Sequence, residues 1–220
     1  HNYLSNYSYW NKSNSAPPNP AVFTFAGGVV DGSTNSYWDL ADSTAGIGFT
    51  GDEFDMNTDF TNGLSFYITI YNNGAGQYDR PWGVGGPSGD AIITYLFGGQ
   101  MGLWFGDWSG TFNSSDLTLP NGETHDLLFI IDSNNMGYIY KNGTLALSTT
   151  SAYPNSVSQL GGGNNTIFSI GNLASDILGG TFAHRKWKGS LTNIKIWNSV
   201  VDWNTAHNYT GITPLPKILE

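Results

Sequence analysis

Two indoles and a carboxylate stand close together in Trp104-Phe105-Gly106-Asp107-Trp108, and Asn113 follows in the same polar stretch. A second group of the same kind, Gln77-Tyr78-Asp79-Arg80-Pro81-Trp82, lies ahead of it. Flat aromatic rings cover apolar faces such as those of pyranose sugars, and a few polar groups beside them fix a ligand's orientation. Tyr78, Asp79, Arg80, Trp82, Trp104, Asp107, Trp108 and Asn113 are therefore the candidate ligand-binding set. Packing competes with this role for any single tryptophan, because tryptophan is highly buried on average. Trp104 and Phe105 are neighbours in an extended run, so alternation turns them to opposite faces and sends one inward. Trp187 and Trp197 read as core or sheet-face residues.

Composition excludes several kinds of partner. The chain of 220 residues carries a net charge of −9 and a pI near 4.6. It has no basic patch of the sort nucleic-acid binding needs, and no polybasic stretch for a membrane surface. Its one basic cluster, His184-Arg185-Lys186 with Lys188, either solvates a strand start or contacts an acidic sugar. Charged residues are 11% of the chain, against about 25% in an average domain. Asn, Ser, Thr and Gly must therefore make the polar surface. No cysteine is present, which excludes a disulfide scaffold and a thiolate metal site. No apolar run approaches the ~18 residues of a membrane span. The chain opens on His1 and closes on Leu219-Glu220, which reads as a piece of a longer protein with a cloning scar. Glycosylation sequons stand at Asn6, Asn11, Asn113, Asn142, Asn164 and Asn208, with Asn142 the most accessible.

The elements that must position these residues are strands. Asp90–Phe97 and Gln100–Phe105 flank Gly98-Gly99, and such glycine pairs favour the primed turns of β-hairpins. Gly106–Thr124 reads as a polar loop. The second hairpin region runs through His125–Asp132, Met136–Tyr140, the Asn142-Gly143 turn and Thr144–Leu147. Gly63–Tyr71 alternates Leu64, Phe66, Ile68 and Ile70 with Ser65, Tyr67, Thr69 and Tyr71, the pattern of an antiparallel strand buried on one side. Earlier strands are expected at Val22–Phe25, Tyr37–Leu40 and Ile47–Thr50, with a Gly/Ser/Asn loop after the first. Later ones are expected at Thr166–Gly171 and Leu191–Trp197. Asn72–Gly89 and Thr149–Asn165 read as long irregular connections, and Val201–Tyr209 as one helical turn capped by Asp202 or Asn204. This predicts an all-β, antiparallel two-sheet β-sandwich, or jelly roll. Residues 1–20 form a polar arm or linker, 21–210 the domain, and 211–220 a tail.

His125–Leu147, Thr166–Gly171, Phe182–Val200 and Gly63–Ile70 together resemble the strand signatures of laminin-G-like and concanavalin-A-like domains. The resemblance implies a jelly roll that recognises glycans or proteins outside cells, with His125 in a structural place. Such domains can take a calcium ligand from an Asp that opens a strand at the loop edge. Asp90 stands in a comparable position, and Asp176 is a second candidate. Calcium, which takes several oxygen ligands at a flexible rim, is thus the candidate cofactor. Glucan-cleaving enzymes of this fold carry Glu-x-Asp-x-x-Glu on one strand. Glu53-Phe54-Asp55-Met56-Asn57-Thr58 lacks the second glutamate, and Asp59 is displaced by one residue. Neither Arg80 nor Arg185 sits in a lyase motif, and no nucleophile elbow occurs.

The expectation is a non-catalytic, lectin-like recognition domain of a larger extracellular, cell-surface or virion-surface protein. Its partner would be a cell-surface glycan or a polysaccharide, with no nucleic acid and no membrane insertion. The alternative is a structural or protein-binding jelly roll of a surface, capsid or fibre assembly. A glycoside hydrolase or lyase ranks third.

Overall fold

The computed structural model describes residues 2–3, 23–26, 29–32, 38–39, 47–49, 62–75, 79–86, 89–105, 110–150, 167–171, 187–197 and 199–209. Five strands open the chain: β1 (Asn2–Tyr3), β2 (Phe23–Ala26), β3 (Val29–Gly32), β4 (Trp38–Asp39) and β5 (Ile47–Phe49). Next come β6 (Leu64–Asn72), β7 (Trp82–Gly86), β8 (Gly89–Phe97), β9 (Gln100–Phe105) and β10 (Gly110–Thr118). The last five are β11 (Thr124–Ile131), β12 (Gly137–Lys141), β13 (Thr144–Ser148), β14 (Ile167–Ile170) and β15 (Gly189–Trp197). A short helix, α1 (Trp203–Asn208), follows.

These strands make two antiparallel sheets. A nine-stranded sheet runs β1-β2-β3-β15-β6-β11-β12-β13, with β4 also paired to β15. A six-stranded sheet runs β10-β9-β8-β7-β14-β5. Alternation on β6 sends Leu64, Phe66, Ile68 and Ile70 into the core, and β11 adds Leu127, Phe129 and Ile131. The opposing sheet supplies Trp82 and Val84 from β7, Ile92 and Leu96 from β8, and Met101 and Leu103 from β9. The Trp82 ring bridges the layers, 4.5 Å from Phe66 and 5.3 Å from Phe129 between centroids. Among the described residues no helix is long and apolar enough to cross a membrane.

The turns follow from the residues that occupy them. Gly98 and Gly99 have φ of 58° and 82°, and Asn142 and Gly143 of 49° and 88°. Both pairs thus close their hairpins with left-handed backbone at both turn positions. The short helix starts on Asp202, whose Oδ1 accepts from the Thr205 amide at 2.7 Å.

Three strands stand where loops were expected. β7 lies within Asn72–Gly89, β10 within Gly106–Thr124, and β3 in the Gly/Ser/Asn loop after Phe25. The sequence of β7, Trp-Gly-Val-Gly-Gly, has little strand propensity. Pairing with β8 and β14 on its two sides holds it extended, and its two large residues both pack inward. β10 is an edge strand of largely polar residues, and Leu117 is its apolar contribution to the core among the described side chains. Within the expected N-terminal arm, β1 pairs with β2 through Asn2↔Phe25 and Tyr3↔Thr24.

Gly189 opens β15 at φ 143°, where a Cβ would strike the Tyr71 carbonyl oxygen. The same oxygen accepts from Trp187 Nε1 at 3.3 Å. Gly98 also has positive φ, but nothing lies within 4 Å of its Cβ position. Gly189→Ala therefore adds a clash to the roughly 1–3 kcal/mol of backbone strain that Gly98→Ala alone would bear. Urea unfolding should show Gly189→Ala the more destabilised of the two; equal midpoints would contradict this packing.

Candidate functional site

Inward packing of Trp82, Val84, Ile92, Leu96, Met101 and Leu103 turns the intervening residues of the six-stranded sheet outward. Register pairing lines up Gly48, Ser169, Gly83, Ile93, Trp104 and Thr111 in one row across all six strands. In the next row Tyr95 pairs with Gly102, and Gly102 with Asn113. Tyr95 and Trp104 pack together on this face. The Arg80 guanidinium carbon lies 5.5 Å from the Tyr95 ring centroid, in cation–π range. The Leu96 amide donates to the Asp79 carbonyl at 3.0 Å, tying the segment before β7 to β8.

Exposure divides this face. Arg80 and Tyr95 are each 4% exposed, and Asp79, Gly83, Gly85 and Ser169 are buried too. Trp104 is half-buried and sits one strand from the β10 edge. Among the described aromatic residues of this face Trp104 is the more exposed, and it stands beside the strand that carries Thr111 and Asn113.

Of the expected set, Asp79, Arg80 and Trp104 gather here, and Asn113 holds the register position opposite Gly102. Trp82 is a correction: at 1% exposure, with its ring against Phe66 and Phe129, it packs in the core and offers no face to a sugar. Tyr78, Asp107, Trp108 and Asp176 lie outside the described residues, as does the Glu53–Thr58 segment. Asp90 pairs opposite Gly85 beside an irregularity in the β7–β8 ladder. Among the described residues no three His, Asp or Glu side chains gather as a metal cage. Tyr95 escaped sequence reading because Ala-Ile-Ile-Thr-Tyr-Leu-Phe is apolar on both faces and shows no alternation.

The outer face of the nine-stranded sheet is built differently. Tyr67, Leu128, Ile130, Trp197 and Ala206 form a second buried cluster, with Tyr138, Tyr140, Val201, Trp203 and Tyr209 around it. Lys195 is 3% exposed and donates from Nζ to the Ala206 carbonyl at 3.0 Å. Its ammonium lies 4.8 Å from the Tyr67 ring centroid and 5.8 Å from that of Tyr209. A cation beside helix-terminal carbonyls is favourable, so this lysine fastens α1 to the sheet. His207 adds a hydrogen bond between Nδ1 and the Tyr67 hydroxyl at 2.9 Å, and its ring stacks on Trp203. Burial, reinforced by the Asp126 charge, pushes the Tyr67 hydroxyl pKa up. The hydroxyl therefore stays protonated and joins the docking network as a neutral group.

His125, on β11, is also structural. Its Nδ1 lies 3.3 Å from Asn142 Nδ2, and its Nε2 lies 3.3 Å from Glu123 Oε2. Asn142 Oδ1 meanwhile accepts from the Asp126 amide at 2.9 Å. The Asn142 carboxamide is thus engaged at both ends even though the residue is exposed. Its accessibility as a sequon is less than its tight turn suggests.

No protein-family profile matches the chain, and no curated protein matches it in sequence. Solved structures share its fold. Domain 4 of AbnA, a GH43 extracellular arabinanase from Geobacillus stearothermophilus solved with arabinotriose, aligns with a TM-score of 0.55. That match has 15% identity and covers 90% of this chain and 84% of that one. The heptameric SAP-like pentraxin of Limulus polyphemus aligns at 0.54 with 13% identity, over 68% of this chain and 70% of that one. The NanB sialidase of Streptococcus pneumoniae aligns at 0.55 with 14% identity over 86% of this chain, which spans 27% of the enzyme. The chain is thus an antiparallel β-sandwich. This is the all-β, two-sheet architecture that the sequence predicts.

Burial, and secondarily the Lys141 charge, lowers the His125 pKa below its ordinary value near 6.5. The folded state thus favours the neutral ring, and the unfolded chain takes up the proton first. Stability from this group is complete above about pH 6.5 and is lost as pH falls through the lowered folded value. In His125→Gln the drop in melting temperature between about pH 7.5 and pH 5 should be smaller than in the parent. An unchanged drop would contradict this role.

Proposed function

We propose that this chain is a non-catalytic, lectin-like domain that binds a glycan on the outer face of its six-stranded sheet. The supporting observation is half-buried Trp104, backed by Tyr95 and Arg80 and set beside the β10 edge. An indole there can cover one face of a pyranose, and Asn113 and Asp107, close in sequence, are the candidate partners for its hydroxyls. Trp108, close in sequence, is a further candidate for stacking. One neighbour in fold lends support: the arabinanase domain was solved with arabinotriose.

A binding role without catalysis accords with the scarcity of glutamate. The chain has Glu53, Glu123 and Glu220 alone, and Glu123 lies against His125. Carboxylate-pair hydrolysis needs two acids about 5–10 Å apart across a cleft. The domain would serve a larger extracellular, cell-surface or virion-surface protein. Calcium would be its cofactor, with Asp90 and Asp176 as the candidate ligands.

A glycan-array screen of the full chain, with and without chelator, tests this reading. Trp104→Ala should weaken binding by about thirty-fold, the equivalent of ~2 kcal/mol for a central aromatic contact. It should leave a cooperative melting transition, whereas Trp82→Ala should lose about 3–5 kcal/mol of stability. Loss of binding in chelator, matched by Asp90→Asn, would support the calcium role. A blank array from folded protein would overturn the glycan reading.

A further inference from the structure

We infer that the ligand of this site is an uncharged glycan, built of neutral sugars without uronate, sialate or sulfate groups. The inference rests on the glycan-binding reading above and names the class of sugar. Its first ground is charge. With 8 basic against 17 acidic residues and a net charge of −9, the chain repels a polyanion unless cations are concentrated at the contact.

The second ground is where the cations are. Arg80 is the basic side chain on the Trp104 face among the described residues. It is buried, with its guanidinium over the Tyr95 ring. Recognition of a sugar carboxylate favours an exposed, planar guanidinium that can bind in a fork. Arg80 would have to leave Tyr95 to offer one. Lys141 donates to the Thr118 carbonyl at the rim, and Lys195 is buried on the opposite sheet under α1. Lys188 directly precedes β15 of that same opposite sheet, and its carbonyl accepts from the Asn73 amide.

Among the described residues, the register neighbours of Trp104 and Tyr95 are uncharged. Thr111 pairs opposite Trp104, and Gly102 pairs with both Tyr95 and Asn113. Asp107 follows Trp104 in the chain. A carboxylate and a carboxamide suit sugar hydroxyls, and a carboxylate opposes a second negative charge. Binding should therefore depend on ring stacking and neutral hydrogen bonds, with little dependence on salt.

Affinity electrophoresis of the full chain through gels containing polysaccharide tests this directly. The neutral probes are arabinan, galactan and β-1,3-glucan; the acidic probes are polygalacturonate, hyaluronan and polysialic acid. Retention by a neutral probe is expected, changing by less than about twofold between about 50 and about 500 mM NaCl. Acidic probes should bind at least about tenfold more weakly. Retention by an acidic probe alone, falling about tenfold as salt rises, would overturn the inference while leaving glycan binding intact. Loss of that retention in the double variant R185Q/K186Q would then assign it to the basic cluster before β15. Passage of folded protein through every gel without retention would overturn the glycan reading itself.

Discussion

The contact of Trp82 with Phe66 and Phe129 joins the two sheets, and the rest of the architecture follows from it. Phe66 and Phe129 pair directly across β6 and β11, so one indole touches adjacent strands of the nine-stranded sheet. A strand offers alternate residues to opposite faces. Once Trp82 is inside, Val84 is inside and Gly83 and Gly85 are outside. Pairing carries that parity across to β8 and β9, burying Ile92, Leu96, Met101 and Leu103. Tyr95 and Trp104 are on the outer face as a consequence.

The two outer faces differ because the chain treats them differently. The nine-stranded face carries apolar and aromatic residues around a buried lysine, and α1 lies over it. Lys195 meets carbonyls at the helix end, while His207 and Trp203 pack near Tyr67. A lysine ammonium is costly to bury without partners; here carbonyls and aromatic rings surround it. The six-stranded face combines glycine positions with one compact aromatic group, and that group reaches partial exposure at Trp104. One face thus binds the chain's own helix, and on the other Trp104 stays partly exposed.

The sequence makes strands legible where periodicity or turn chemistry is strong. Leu64 to Tyr71 alternates cleanly, and Gly98-Gly99 and Asn142-Gly143 supply the left-handed backbone that tight hairpins need. Of the two residues that could cap the helix, Asp202 and Asn204, it is Asp202 that does so. Trp82 is misread because its neighbours are glycine and proline, and a loop and a glycine-rich strand look alike without knowledge of the pairing partners. Tyr95 is hidden by the uniform apolarity of its strand. The burial of Lys195 has no local signal, because what surrounds it comes from Tyr67, far away in sequence, and from a helix beyond the strand. In each case the missing information is non-local: which strand pairs beside the residue, and what packs over it.

The most direct test of the central claim is amide and indole chemical-shift mapping of the full chain titrated with a neutral oligosaccharide that it retains. The account predicts shifts at the Trp104 indole and at the backbone of Thr111 and Asn113, with Tyr138, Tyr140 and Trp203 on the opposite sheet unmoved. Shifts centred on those three aromatics, with the Trp104 resonances unchanged, would contradict it.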